Sequence, residues 1–375
     1  MNIYLDYAAT TPMDMRVSEQ MCKYQNSIFG NPSSPHRHGQ AAKIVLEECR
    51  DNVAENLGCF SKEVIFTSCG TESNNLGLIG SMIADKEKGS HIIVSAVEHP
   101  SVIKSIEYLN NIGFEISIIN PDNEGIFDIS NIEASIQSKT VLISFMYINN
   151  ETGILSPVNE IGNLCKEKDI IFHCDAVQAF GKYTIDINKL NVDLLSFSGH
   201  KIYGPKGIGG LYVRDGIKLE QNLFGGEQEA NKRPGTENMA GIVGITNAMR
   251  LFDSDEWNKT EERRNYFESQ LQNLIGNITV IGKKAERSPY ISNIAFHGID
   301  NQSLLLRLDI NGLSASVGSA CSSGSIKQSH VLKAMGLSDD IINSSIRFSY
   351  GRFTELPDLK KAVNIIEKTV AELAN

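Results

Sequence analysis

The 375-residue chain has no CxxC cysteine pair, no long apolar run and no basic cluster, and each absence removes a class of protein. Its seven cysteines, Cys22, Cys49, Cys59, Cys69, Cys165, Cys174 and Cys321, are odd in number and scattered. Such spacing argues against a disulfide framework and a structural zinc site, and leaves free thiols that should mostly pack as small apolar residues. No metal is expected. Uncharged apolar runs such as Met239 to Met249 fall short of the ~20 residues a membrane-spanning helix needs. The opening MNIYLDYAATTP has no basic segment leading into an apolar one, so no secretory signal is expected and the protein should be cytoplasmic. Basic residues (35) are outnumbered by acidic ones (45), and they nowhere interleave with aromatics. Direct nucleic-acid binding and an anionic-membrane surface are therefore excluded as primary roles, while a docking protein with its own basic patch is compatible.

What is present is ordinary globular composition, 41% hydrophobic and 21% charged, in a length that suits one large domain with a smaller companion. Short apolar runs bounded by turn residues recur from Glu63 to Arg214: EVIFTS, HIIVSAV, EISIIN, TVLISFMY, IIFHCD, DLLSFS and GGLYVR. Rich in Ile, Val and Phe without strict alternation, they read as strands buried on both faces. Helix-like segments between several of them predict an α/β fold, a mostly parallel sheet flanked by helices. Beyond Trp257 a long charged amphipathic helix, a few strands and a closing helix predict a smaller α+β unit. The expected division is 14–255 for the large domain, with 1–13 and 256–375 forming the small one.

In open α/β sheets ligands sit where strand carboxyl ends meet helix starts. At one such junction, TSCGTESNN, Gly70 allows close backbone approach and Thr71 lies where a helix N-terminus favours a phosphate, although a plain Thr N-cap would look the same. At a second, Asp175 ends an otherwise apolar strand and could serve only as a helix cap. At a third, Ser198, His200 and Lys201 end the next buried strand, where a lysine could be a solvated loop residue. Together they are more specific. Pyridoxal phosphate needs a lysine to form a Schiff base, an acid to keep the pyridine nitrogen protonated, and a helix N-terminus for its phosphate.

DYAATTP, FGNPSSPHRHG, TSCGTESNN, EHPSV, NNETG, HCDAVQAFGK, SGHKIYGPKG, RPGTEN, GSACSSG and RFSYGRFT occur in this order. The series resembles the cysteine desulfurases of the NifS/IscS-like group, in the class V aminotransferase family of fold type I pyridoxal phosphate enzymes, over nearly the whole chain. The resemblance implies that fold, with a seven-stranded sheet, and a role for each matched residue. Lys201 resembles the cofactor's Schiff-base lysine, Asp175 the partner of its ring nitrogen, and Gln178 the group on its phenolic oxygen. Gly70, Thr71, Ser198 and His200 match phosphate ligands. His99 matches the imidazole stacked on the ring, which also moves protons, and Asn150 lies beside ring and substrate. Arg347 resembles the clamp on the substrate carboxylate, with Arg352 structural. Thr236 matches a threonine that reaches the neighbouring subunit's phosphate, implying a homodimer with shared active sites. Cys321, flanked by Gly and Ser, resembles the thiol that takes sulfur from L-cysteine as a persulfide, releasing L-alanine, with Gly318 and Gly324 as hinges.

The sulfur would pass to an acceptor protein for iron–sulfur assembly, or for nucleic-acid or cofactor thiolation. Selenocysteine lyase, or another lyase or aminotransferase of the same fold, is the alternative activity, and a scaffold subunit without chemistry is the alternative outside enzymes. Four positions depart from the pattern. Cys69 and Glu227 stand where glycines are usual, and Ala230 and Asn231 replace an Arg-Gly pair, so the phosphate turn and inter-subunit segment are expected to differ. The ending AELAN, directly after the last helix, leads us to expect a dedicated acceptor.

Overall fold

In the computed structural model, which describes residues 2–318 and 328–374, twelve strands form among the described residues. They are β1 Ile3–Tyr4, β2 Val64–Thr67, β3 His91–Ser95, β4 Glu115–Ile119, β5 Thr140–Ser144, β6 Ile171–Asp175, β7 Leu194–Ser198, β8 Gly209–Val213, β9 Ile278–Val280, β10 Ile291–Phe296, β11 Leu313–Ser314 and β12 Ser345–Ser349. The seven apolar runs are β2 to β8, and they make one sheet in the order β2-β8-β7-β6-β5-β3-β4. Pairing from β4 through β3, β5 and β6 to β7 is parallel, whereas β8 runs antiparallel between β7 and β2. Every residue of β3, β6, β7 and β8 is buried, which explains why these strands lack polar alternation.

Parallel pairing requires a crossover between strands, and the amphipathic helices Pro100–Asn111 and Val158–Lys168 provide it. Pro100 sits in the first turn, where its missing N–H costs nothing, and Asp169 in the left-handed conformation ends the second helix. Helix Gly70–Ala84 lies against β6, β7 and β8, and its Gly77 approaches His173 and Leu211 so closely that an added Cβ would stand 3.3 Å from Leu211. Helices Met15–Ser27 and Arg37–Leu57 have no counterpart in the alternation read from sequence. They pack on Met239–Arg250, the apolar run noted above.

A second apolar core lies under the antiparallel sheet β12-β10-β9. Phe267 and Leu271 of helix Ser254–Ile275 meet Phe348 of β12 and Leu359 and Ile366 of helix Leu356–Leu373. Fully burying each such side chain contributes about 1.5–3 kcal/mol. The N-terminal segment belongs to this core through Ile3 and Leu5, and β1 pairs with β11. Residues 6–11 then run across to the end of β7, where Thr11 N–H donates to the His200 carbonyl.

Candidate active site

Parallel neighbours β6 and β7 end side by side, with Asp175 paired in register to Ser196, so Asp175 and the turn after Ser198 open onto the same edge. That turn, Gly199–Lys201, is a single 3₁₀ turn, and it directs Lys201 across the edge toward the N-terminal segment. Lys201 Nζ donates to the Ala8 carbonyl at 2.5 Å and to the Ala9 carbonyl at 2.7 Å. Burial, then the charges of Arg347 and Lys182, pull its pKa down to about 7. Near neutral pH a substantial fraction is therefore the free amine, which can donate both hydrogens to these carbonyls and keep its lone pair for nucleophilic attack.

Across the cavity stands the N-terminus of helix Gly70–Ala84. The first-turn amides have no partner within a helix and favour an anion. Gly70 is required there, because an added Cβ would come within 2.6 Å of Val177 Cγ2. Cys69 is the N-cap, with extended backbone at φ −176° that any residue adopts, so the thiol replaces a glycine without strain and lines the cavity. Ser198 Oγ is buried and has no hydrogen-bond partner among the described residues. Among the described residues His200 uses only Nδ1, 3.2 Å from Thr10 Oγ1, and burial with the nearby Lys201 lowers its pKa to about 4, so the ring is neutral.

A chain of hydrogen bonds joins the other wall to Asp175. Ser101 N–H donates to His99 Nδ1 at 3.1 Å, and Ser101 Oγ lies 2.8 Å from the same atom. Nδ1 is thus an acceptor, and since burial lowers the pKa of His99, the neutral ring carries its hydrogen on Nε2. Asn74 Nδ2 bridges onward, donating to Ser101 Oγ at 2.9 Å and to Asp175 Oδ2 at 2.7 Å. Val177 N–H donates to Asp175 Oδ1, which fixes the carboxylate as an acceptor toward the cavity.

Arg347 comes from β12, on the second sheet, and is 3% exposed. Its Nη1 donates to the Asn150 carbonyl and its Nη2 to Asp6 Oδ1, both within 2.9 Å, while the buried Nε has no partner among the described residues. A guanidinium held on two sides with a donor to spare suits a carboxylate ligand. The cavity these residues enclose is about 360 Å³, within the range of small-molecule sites.

Gly70, Thr71, His99, Asn150, Asp175, Gln178, Ser198, His200, Lys201 and Arg347 all line this one cavity, together with Gly318. Thr236 does not; it is exposed and lies outside the cavity of its own chain. Cys321 and Gly324 lie outside the described residues. Of the six other cysteines, Cys49, Cys165 and Cys174 are buried as expected of packing residues, but Cys22 is exposed on helix Met15–Ser27, which corrects the expectation for that thiol. Arg352 is structural: it bonds Asp14 and the Leu251 carbonyl, and its guanidinium lies 4.5 Å from the Tyr203 ring centroid. Sequence reasoning missed Ala8 and Ala9 as a wall, Asp6 as the carboxylate holding Arg347, and Ser101 as the link between His99 and Asn74. Ser101 had a signal, since EHPSV places it two residues after His99.

Residues 3–361 match the family Aminotransferase class-V. A cysteine desulfurase IscS of Dictyoglomus turgidum is 42% identical over 99% of this chain and 95% of its own length. Among solved structures, a NifS-like protein superposes with a TM-score of 0.93 at 33% identity, covering 100% of both chains. A protein named SspA, solved in complex with cysteine, gives a TM-score of 0.85 at 34% identity over 94% of this chain and 100% of its own.

Proposed function

This chain belongs to the class-V aminotransferase family, and from that premise we propose that it is a cysteine desulfurase. It would use pyridoxal phosphate to move sulfur from L-cysteine to Cys321, leaving L-alanine. The observation that carries the reading is one cavity in which a buried lysine of lowered pKa, an acceptor carboxylate, and a serine hydroxyl and an arginine N–H without partners among the described residues face one another.

These residues fit the cofactor. Lys201 would hold it covalently, Asp175 its ring nitrogen, and Gln178 its phenolic oxygen. The amides at Gly70 and Thr71, with the unpartnered Ser198 Oγ and His200, would hold its phosphate, and His99 would lie on its ring. Bound there, pyridoxal phosphate supplies an electron sink for the C–H and C–S bonds that break. Arg347 orients the substrate by its carboxylate, using Nε, and Asn150 borders the same space. Lys201 Nζ would also be the group to take the α-proton, a transfer its lowered pKa permits near neutral pH. His99, its neutral ring carrying the hydrogen on Nε2, would offer that N–H as a hydrogen-bond donor in the cavity. The Cys321 thiolate attacks the substrate sulfur; an S–S bond forms as the C–S bond breaks, and the carbon retains the electron pair and is protonated to a methyl group. One L-cysteine and one thiol thus give one L-alanine and one persulfide.

The same reading makes the enzyme a cytoplasmic homodimer that passes the sulfur to an acceptor protein. Support for the dimer comes from Thr236, exposed away from its own cavity, and from Phe224, 89% exposed on the same stretch of chain. The helices of the described residues include none long and apolar enough to cross a membrane. The test is to record the visible spectrum of the purified protein before and after L-cysteine while assaying alanine and protein persulfide. A band that shifts, with alanine and persulfide equal in the first turnover, is expected from the parent. A Cys321→Ser protein should keep the band and form no persulfide. Sustained alanine and persulfide from that variant would overturn the role of Cys321, and a band without alanine would overturn the substrate.

A further inference from the structure

Behind the cavity lies a lysine that the chemistry above does not use. Lys182 follows the turn at Gly181 and is 7% exposed. No carboxylate pairs with it among the described residues. Its Nζ donates to Gln178 Oε1 at 3.1 Å and lies 5.4 Å from the centroid of the Tyr290 ring. Burial alone draws its pKa down to about 8, so near pH 7 it is mostly an ammonium, a group with donors and no acceptor.

Gln178 is the residue on which this bears. The two ends of a side-chain amide have nearly the same shape, so only its neighbours decide which end points where. Here Oε1 faces Lys182 and Nε2 donates to the Ala8 carbonyl at 2.9 Å. Reversal would set an NH₂ against an ammonium and a carbonyl against a carbonyl, two repulsive contacts in a buried place. The Ala8 carbonyl favours the same orientation, but it is a neutral acceptor shared with Lys201, whereas Lys182 brings a charge to the other end of the amide. Lys182 Nζ has Gln178 Oε1 as its one hydrogen-bond acceptor among the described residues, so its demand is the stricter.

We propose that Lys182 is a positioning residue that locks the Gln178 amide with its nitrogen toward the cofactor's phenolic oxygen. The inference rests on the cofactor reading above. A donor at that oxygen stabilises its anionic form and lowers the basicity of the neighbouring imine, whereas a carbonyl there would repel it.

The test is a pH titration of the visible band in the cofactor-loaded parent, Lys182→Met, Gln178→Leu and the double variant, with thermal melts as a folding control. Lys182→Met should raise the band's pH midpoint by about one unit, a tenfold change in proton affinity. Gln178→Leu should raise it at least as far, and the double variant should equal Gln178→Leu, the non-additivity expected of residues acting through one another. Lys182→Arg, which keeps a donating cation in place, should return the midpoint toward the parent and serves if the methionine variant does not fold. A parental midpoint in Lys182→Met, or shifts that add in the double variant, would overturn the proposal by showing that Lys182 acts elsewhere or as a bare charge. Absence of any band in the loaded parent would instead remove the cofactor reading, and this inference with it.

Discussion

Two pairs of buried or half-buried histidines separate the interior of the large sheet from its carboxyl edge. Inside, His173 of β6 sits between Ser144 of β5 at 2.8 Å and Ser196 of β7 at 3.4 Å, and His91 lies between Thr140 and Ser117. Both ring nitrogens of each are engaged, and burial drops the pKa of His173 to about 3. At the edge, His99 and His200 each engage Nδ1 and leave Nε2 without a protein partner among the described residues. Ser198 Oγ and Arg347 Nε are likewise left over. Unpartnered buried atoms occur elsewhere too, Tyr212 Oη of β8 and Tyr350 Oη among them, but four open groups around one cavity are what a polar ligand would engage.

The strongest challenge to this contrast is Lys201→Ala. If the edge is the chemical half of the sheet, activity should fall by ~10³-fold or more and the visible band should be lost, while the melting temperature of the cofactor-free protein stays near the parent's. A persisting band would place the Schiff base elsewhere. The same lysine gives a pH test with a definite sign. With its pKa near 7 instead of 10.5, the rate of cofactor capture by the apo-protein should rise as pH passes through about 7 and level off near pH 8. A rate still climbing between pH 9 and 10, on the order of tenfold per unit, would mean an unperturbed lysine.

Substituting one histidine from each pair sharpens the comparison. His99→Ala should cost ~10²-fold or more in turnover. Because its Nδ1 also caps helix Pro100–Asn111, it should lose about 1 kcal/mol of stability. His173→Ala should show the opposite balance: about 2–4 kcal/mol lost from the cavity and from the stranded Ser144 and Ser196 hydroxyls, with turnover per folded molecule retained. Chemical denaturation and active-site-normalised kinetics, run on both, would refute the division if the two variants behaved alike. Next in size is Arg347→Lys, which keeps the charge and loses the fork. KM for L-cysteine should rise roughly ten- to a hundredfold, the equivalent of about 1.5–3 kcal/mol, with kcat changed less.

Legibility from sequence followed the same line. Strands buried on both faces announce themselves by apolar composition, and Asp175, Ser198, His200 and Lys201 stood out because polar residues at the ends of such strands need a reason. Arg347 could be matched by resemblance, but composition could not show that β12 of the second sheet carries it into the same cavity. The Ala8 and Ala9 carbonyls were not legible, since every residue has a carbonyl and only the fold says which ones meet Lys201. Nor was Lys182, which four residues past Gln178 looks like an ordinary surface charge. The altered segment around residue 230 shows a different limit. Glu229, Ala230 and Asn231 all adopt the left-handed conformation, at φ 47°, 54° and 62°, without a glycine among them. Such backbone costs about 1–2 kcal/mol per residue for ordinary side chains. It is held by the Glu229 carboxylate, which takes a two-pronged bond from Arg50 and a third from Phe66 N–H. The departures at Ala230 and Asn231 were visible in sequence; the buried ion pair that lets the turn survive them was not.

The finest division between interior and edge is drawn by Ser198→Ala. An orphaned buried hydroxyl is a cost in the empty protein and a gain once a ligand accepts its hydrogen, so one substitution should move two stabilities in opposite directions. The apo-protein should be as stable as the parent or more so, by up to about 1 kcal/mol, since a group that lost its water and found no partner is gone. Cofactor affinity should fall roughly five- to tenfold for the missing hydrogen bond, so the rise in melting temperature on adding pyridoxal phosphate should shrink. Ser196→Ala, one pleat away on the same strand, supplies the control. Its hydroxyl is engaged by His173 in the interior, so its loss should lower apo and loaded stability equally and leave cofactor affinity where it was. If Ser198→Ala behaved as Ser196→Ala does, the open hydroxyl at the edge would be an accident of packing and the cradle would have to be assigned to the helix amides alone.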